Sequence, residues 1–161
     1  MKTKIYILTS ILFLSISLIS AQTQEDLQKL SIFSEYVKAK NYNDAYGPWM
    51  ELRTATPRLN KAIYVFGERI IKDKILNSTA QEKKTYILDL LKLWEERRAI
   101  FPNITPQGTY LAKASQLRYD NKKLLGESNE DLYIAFDTAY LTDIKTFTNP
   151  KNWTILNLRY V

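Results

Sequence analysis

The chain has 161 residues, 45% hydrophobic and 25% charged, the balance of one globular domain and not of a disordered tail or a multi-domain enzyme. It contains no Cys and no His, which removes thiol nucleophiles, disulfides, thiolate or imidazole metal sites and every triad with an imidazole base. Lys+Arg outnumber Asp+Glu by 23 to 17, a formal charge of +6 that is too mild for a duplex nucleic-acid partner to be expected, and four Gly with five Pro are few for phosphate-cradling loops or a turn-rich β fold.

Lys2 and Lys4 precede an apolar run from Ile5 to Ile19, and Ser20-Ala21 place small residues before the polar Gln22-Thr23-Gln24. This is the plan of a secretory signal peptide, with cleavage expected between Ala21 and Gln22. Residues 1–21 are then the leader and 22–161 the mature domain. The run is about 15 residues against the roughly 20 that span a bilayer core, so no integral membrane span is expected after its removal. No Cys follows the run, so no lipid anchor is expected either. The expected location is the periplasm, the cell envelope or the exterior.

Between Leu27 and Lys40, apolar Leu27, Leu30, Ile32, Phe33, Tyr36, Val37 and Ala39 recur at helical spacing, and Asn41-Tyr42-Asn43 ends that helix. Asn43 reads as the N-cap of a second helix running to about Arg53, with Asp44 in its first turn and a kink expected at Gly47-Pro48. A third helix is predicted from Arg58 to about Leu76, with Pro57 near its start and Ile63, Phe66, Ile70 and Ile71 inward. Ser78 or Thr79 caps a fourth that carries Tyr86, Ile87, Leu90, Leu91, Trp94 and Ile100 and stops before Pro102. A fifth is predicted from Pro106 to Leu125, with Leu111, Ala114, Leu117 and Leu124 on one side and Gly126 as its stop. A sixth opens after Ser128-Asn129 with Leu132, Ala135, Phe136, Ala139 and Tyr140, and a seventh opens at Asn149-Pro150. No run has period two, so the class is all-α.

The helices also pair. One pair reads Ile32-Phe33-x-x-Tyr36, then Tyr42-x-x-Ala45-x-x-x-Trp49-x-x-Leu52, closed by Pro57. Ile63-x-x-Phe66-Gly67-x-x-Ile70, Leu90-x-x-x-Trp94 and Pro102 form a second, longer pair. Leu111-Ala112, Leu132-x-x-x-Phe136-x-x-Ala139 and a displaced Pro150 form a third. On these residues the chain resembles a bacterial envelope protein of the tetratricopeptide-repeat type, either a short member or the N-terminal portion of a longer one. The units run about 27–57, 58–102 and 105–146, with a partial unit at 149–161. Phe33 departs from the small residue of the pattern and argues for a wider helix crossing.

The resemblance implies antiparallel helix pairs stacked as an α-solenoid; a compact bundle has the same periodicity and stays open as the alternative. It also implies a concave groove, made by the first helix of each pair, that takes a peptide or protein surface, and it implies no enzymatic activity. In that register Leu27, Leu30, Ser34, Val37 and Lys38 face the groove, followed by Lys61, Tyr64, Glu68, Ile71 and Lys72, then Thr109, Lys113 and Gln116. The surface is apolar, aromatic and mildly basic, suited to a segment with some acidic character. Leu30, Ser34, Tyr64 and Glu68 stand where the carboxylate-clamp subgroup has Lys and Asn, so that subgroup's grip on chaperone tails is not expected.

Trp49 and Trp94 read as core aromatics of the repeat, whereas Trp153 stays open as a sugar-stacking platform. The run Glu95-Glu96-Arg97-Arg98 reads as a solvated helix face. The expected function is a non-enzymatic scaffold or recruiting module for another envelope or secreted protein, with no catalytic residue, cofactor or metal. A glycan-binding helper is the alternative, and a hydrolase built on two converging carboxylates is further off. Trp153, Leu156 and Tyr160 line the apolar final segment, through which the isolated protein is expected to self-associate or bind a hydrophobic dye; a monomer by light scattering with no dye fluorescence contradicts this.

Overall fold

The computed structural model describes residues 24–147. Ala21, Gln22, Trp153, Leu156, Tyr160 and the helix expected at Asn149 lie outside the described residues. Among the described residues the chain is helical with no strand. Helix α1 covers 24–38, α2 Tyr42–Ala55, α3 Ala62–Asn77 and α4 Ala80–Ile100; a 3-10 turn at Pro102–Ile104 leads to α5 Gln107–Asp120, α6 Lys122–Leu125 and α7 Asn129–Thr142. Two compact units divide them, one up to Phe66 and one from Gly67 onward.

In the first unit α1 turns Phe33 and Val37 inward, while Ile32 remains 41% exposed. Its buried face is therefore one residue, about 100° of helix, away from the stripe expected on Ile32 and Tyr36. Phe33 draws it there by meeting the Phe66 ring edge-on at 6.1 Å. The helix stops where Lys40 takes a left-handed conformation, φ 59°. The next N-cap is Asn41, two residues before the expected Asn43, with its amide on Asp44 at 2.6 Å. Pro48 lies inside the continuous α2. Ala45, Trp49 and Leu52 form the buried face of that helix, and Trp49 donates its indole N–H to the Ile63 carbonyl at 2.7 Å.

Helix α3 begins four residues later than Pro57 suggested. Residues 57–59 form a turn, and Asn60 Oδ1 accepts the Ala62 N–H at 2.8 Å, satisfying a donor that the helix start leaves open. Thr79 and Ser128 act as expected. Each makes a capping box, Thr79 with Glu82 and Ser128 with Asp131.

The expected fifth helix is two helices. Asn121 donates its side-chain amide to the Leu117 carbonyl at 2.9 Å, a local bond that competes with helix continuation, and short α6 then ends on Gly126 at φ 79°. Small Ala112 and Ser115 let α5 pack closely on Leu132, Phe136 and Ala139 of α7, and Phe147 completes that core. The two helices are antiparallel. At one end Arg118 grips Glu127 through Nε and Nη2 at 2.7 and 2.6 Å; at the other, Gly108 and Thr109 meet Asp143 and Thr146.

That second end has no room. A Cβ on Gly108 would overlap the Asp143 carbonyl oxygen and crowd Thr146 Oγ1 and the Phe147 amide. Gly108→Ala is therefore expected to cost about 1–3 kcal/mol, read as a lowered urea midpoint at unchanged slope, whereas Gly47→Ala, with open space around the site, leaves the midpoint within about 0.5 kcal/mol or raises it.

Candidate functional site

Glu68 and Lys72 stand one turn apart on α3, Trp94 and Arg97 share a stripe of α4, and Tyr110 and Lys113 share one of α5. Spacing alone sets each pair on one face, and packing of the helices brings the pairs together. Trp94 is buried and donates its indole N–H to Glu68 Oε2 at 2.9 Å. The other oxygen, Glu68 Oε1, meets Lys72 at 2.6 Å and Lys113 at 3.9 Å.

The rings carry the rest of the charge. Lys113 lies 4.7 Å and Arg97 4.8 Å from the Tyr110 ring centroid, Lys72 lies 5.9 Å from that of Trp94, and the two rings meet edge-on at 6.5 Å. Each such contact contributes about 0.5–1 kcal/mol where solvent reaches it. Lys72 and Lys113 thus share a single carboxylate while Arg97 adds its charge at the Tyr110 ring, and these groups together carry an excess of positive charge.

Burial by itself would raise the pKa of Glu68. The hydrogen bonds from Lys72 and Trp94, with the charges of Lys72 and Lys113, outweigh it and hold the carboxyl below its usual range. Burial raises the Tyr110 hydroxyl, against the Arg97 charge. A carboxyl held below its usual range gives the face a fixed anion between its lysines.

Three of the expected groove residues, Glu68, Lys72 and Lys113, are brought together here. Val37, Tyr64 and Ile71 are not groove residues: each is at most 1% exposed and belongs to the core. Val37 is there because α1 is rotated, and Tyr64 and Ile71 because they share the inward face of α3 with Ile63 and Ile70. Ser34 is occupied with the Leu30 carbonyl, Lys38 with Glu35 and Thr109 with Thr146, while the Gln116 amide nitrogen binds Asp120. Leu27 is 47% exposed, Leu30 is half-buried and Lys61 is exposed.

Arg97, expected on a solvated helix face, and Tyr110, not expected at a site, both belong to this face. Arg97 is partly buried over a ring, not part of a solvated charged run. The spacing Trp94-x-x-Arg97 was the available signal, since residues three apart share a helix face. Trp49 is fully buried and Trp94 is 5% exposed, so neither offers a ring face to a sugar.

A shallow groove of about 370 Å³ also opens between α5 and α7, between Leu111, Ala114, Ile134 and Thr138. Its arginine, Arg118, is already held by Glu127. Among the described residues no helix is long and apolar enough to cross a membrane, and no three acidic side chains group as metal ligands.

The chain matches no protein-family model, no curated protein and no solved structure.

The Glu68 geometry makes the stability of this face depend on pH. A carboxyl whose folded-state pKa is lowered stabilises the fold above its ordinary value of 4.5 and loses that contribution as pH falls through the lowered value. Glu68→Gln is expected to destabilise by about 1–3 kcal/mol at pH 7, because it leaves the neighbouring cations without their anion. Denaturant melts at pH 7 and pH 3 test this: the gap from wild type should narrow sharply at the lower pH, and an equal gap at both would contradict the assignment.

Proposed function

We propose that this chain is an exported, non-enzymatic helical-repeat module that recognises a segment of another envelope or secreted protein. The contact surface is the face on which α3, α4 and α5 present Lys72, Arg97 and Lys113 around Trp94 and Tyr110. The observation that carries the reading is the charge count of that face: Lys72 and Lys113 share one carboxylate, Glu68, which also accepts from Trp94, and Arg97 adds a third cation over the Tyr110 ring. Such a face attracts an acidic segment and sets the encounter rate and register of its partner. The repeat resemblance is supported by the burial of Ala45, Trp49 and Trp94 at the positions where the pattern has its small and aromatic residues. The signal-peptide plan of residues 1–21 supports export.

The test is chemical cross-linking of the affinity-tagged chain in its native cells, followed by identification of what co-purifies. A Lys72→Glu, Lys113→Glu double variant reverses the charge of the face without touching a buried residue. A discrete protein partner captured by wild type and lost by at least tenfold in the variant, with the melting temperature of the variant held within a few degrees, is the expected result. Capture that is indifferent to the double reversal sinks the proposal.

A further inference from the structure

We propose that Arg97 is the residue that reads a carboxylate of the partner, and that the ligand is a peptide segment whose acidic side chains pair with Arg97 and Lys113. The inference rests on the recognition reading above and specifies its chemistry.

Two arginines of the second unit show the contrast that carries it. Arg118 has a filled fork, with Nε and Nη2 on the two oxygens of Glu127 at 2.7 and 2.6 Å. Arg97 has an empty one. Its guanidinium carbon lies 4.8 Å from the Tyr110 centroid in a half-buried side chain, and its Nε is buried without an acceptor. No carboxylate among the described residues pairs with it. A partly desolvated cation normally has an anion or a set of acceptors close by.

Lys113 is nearly as short of charge. It shares the Tyr110 ring with Arg97, and its nearest carboxylate is Glu68 at 3.9 Å, which Lys72 holds at 2.6 Å and Trp94 at 2.9 Å. A segment with acidic side chains supplies the anion that Arg97 lacks and a nearer partner for Lys113.

The planar guanidinium selects the shape of that anion. It offers two parallel donors to two coplanar oxygens, the geometry of a carboxylate, which a lysine ammonium cannot reproduce. Arg97 stands on α4, outside the helices that the repeat resemblance assigns to the groove.

The probe is a capped hexapeptide of alternating Glu and Ala, with its Gln counterpart and a phosphoserine version, titrated onto the full chain by calorimetry and by NMR of the arginine Nε–H signals. The expected result is binding of the glutamate peptide alone or most tightly, weakening as salt is raised, with the Arg97 Nε–H resonance shifting as the accessible Nη edge of the same guanidinium gains an acceptor. Arg97→Gln and Arg97→Lys should each weaken binding by about tenfold or more, while Lys84→Gln, which removes an exposed lysine near the start of α4 and outside this face, changes it less than threefold.

If Arg97→Gln does not fold, Arg97→Lys and the wild-type Nε–H signal decide the matter on their own. Glutamate-peptide binding that is unchanged in Arg97→Lys overturns the Arg97 assignment and leaves acidic recognition by this face standing. Tighter binding of the phosphoserine peptide overturns the carboxylate assignment. Absence of any glutamate-peptide binding by wild type overturns the inference too, and the partner capture described above then decides the recognition reading separately.

Discussion

Burying Trp94 takes its indole N–H out of water, and a buried donor without an acceptor costs about 1–3 kcal/mol. The acceptor here is the Glu68 carboxylate. That bond fixes one oxygen of Glu68 and leaves the other for Lys72 and Lys113. The charged face is thus arranged from beneath, by a requirement of the core. In the first unit Trp49 meets the same requirement through a backbone carbonyl, that of Ile63, and the consequence differs. A carbonyl brings no net charge, so nothing like the Lys72–Glu68–Lys113 arrangement is organised by it. Two buried tryptophans with equal packing roles therefore have unequal electrostatic effects, decided by whether the acceptor is ionised.

Helix α5 carries Tyr110 and Lys113, and its position is set by α7. Small Ala112 and Ser115 allow close approach, Phe136 and Phe147 fill the space beside them, and each end of the pair is closed by a polar device. Arg118 with Glu127 closes one end through a bidentate ion pair that is largely shielded from solvent, more effective than exposed pairs such as Lys38 with Glu35. Asp143 and Thr146 close the other end through hydrogen bonds to the start of α5. The aromatic and cationic groups of the face are thereby mounted on an element that has little freedom to slide.

Much of this architecture was legible because its causes are local. Thr79 with Glu82 and Ser128 with Asp131 are three apart, so the capping boxes are visible in the sequence. Gly126 announces the left-handed residue that ends α6. Asn60 and Asn121 were not legible in this way: each competes with another plausible boundary, and only the surrounding fold decides which side-chain hydrogen bond is made. The rotation of α1 was hidden for a similar reason. Ile32 with Tyr36 and Phe33 with Val37 are equally good four-residue pairs, and only the presence of Phe66 selects the second. The site divides along the same line. Glu68, Lys72 and Lys113 came from the register that the repeat resemblance implies, whereas Val37, Tyr64 and Ile71, placed in the groove by the same register, are apolar or aromatic residues whose burial a face assignment cannot decide. Arg97 was concealed in a charged run because exposure, not composition, distinguishes a solvated arginine from a stacked one.

The junction at Gly108 bears on the dynamics of α5. A helix usually loosens first at its ends, where backbone groups lack partners. The residue that precedes α5, Pro106, has no side-chain oxygen to supply a cap. Asp143 and Thr146 supply it from beyond α7, tying the amides of Gly108 and Thr109 to a segment more than thirty residues away in the chain. The opening of α5 is therefore bound to the opening of the turn after α7, and fraying is directed to the opposite end, toward Asn121. Tyr110 sits beside the tethered end, so its ring belongs to the slow-moving half of the helix.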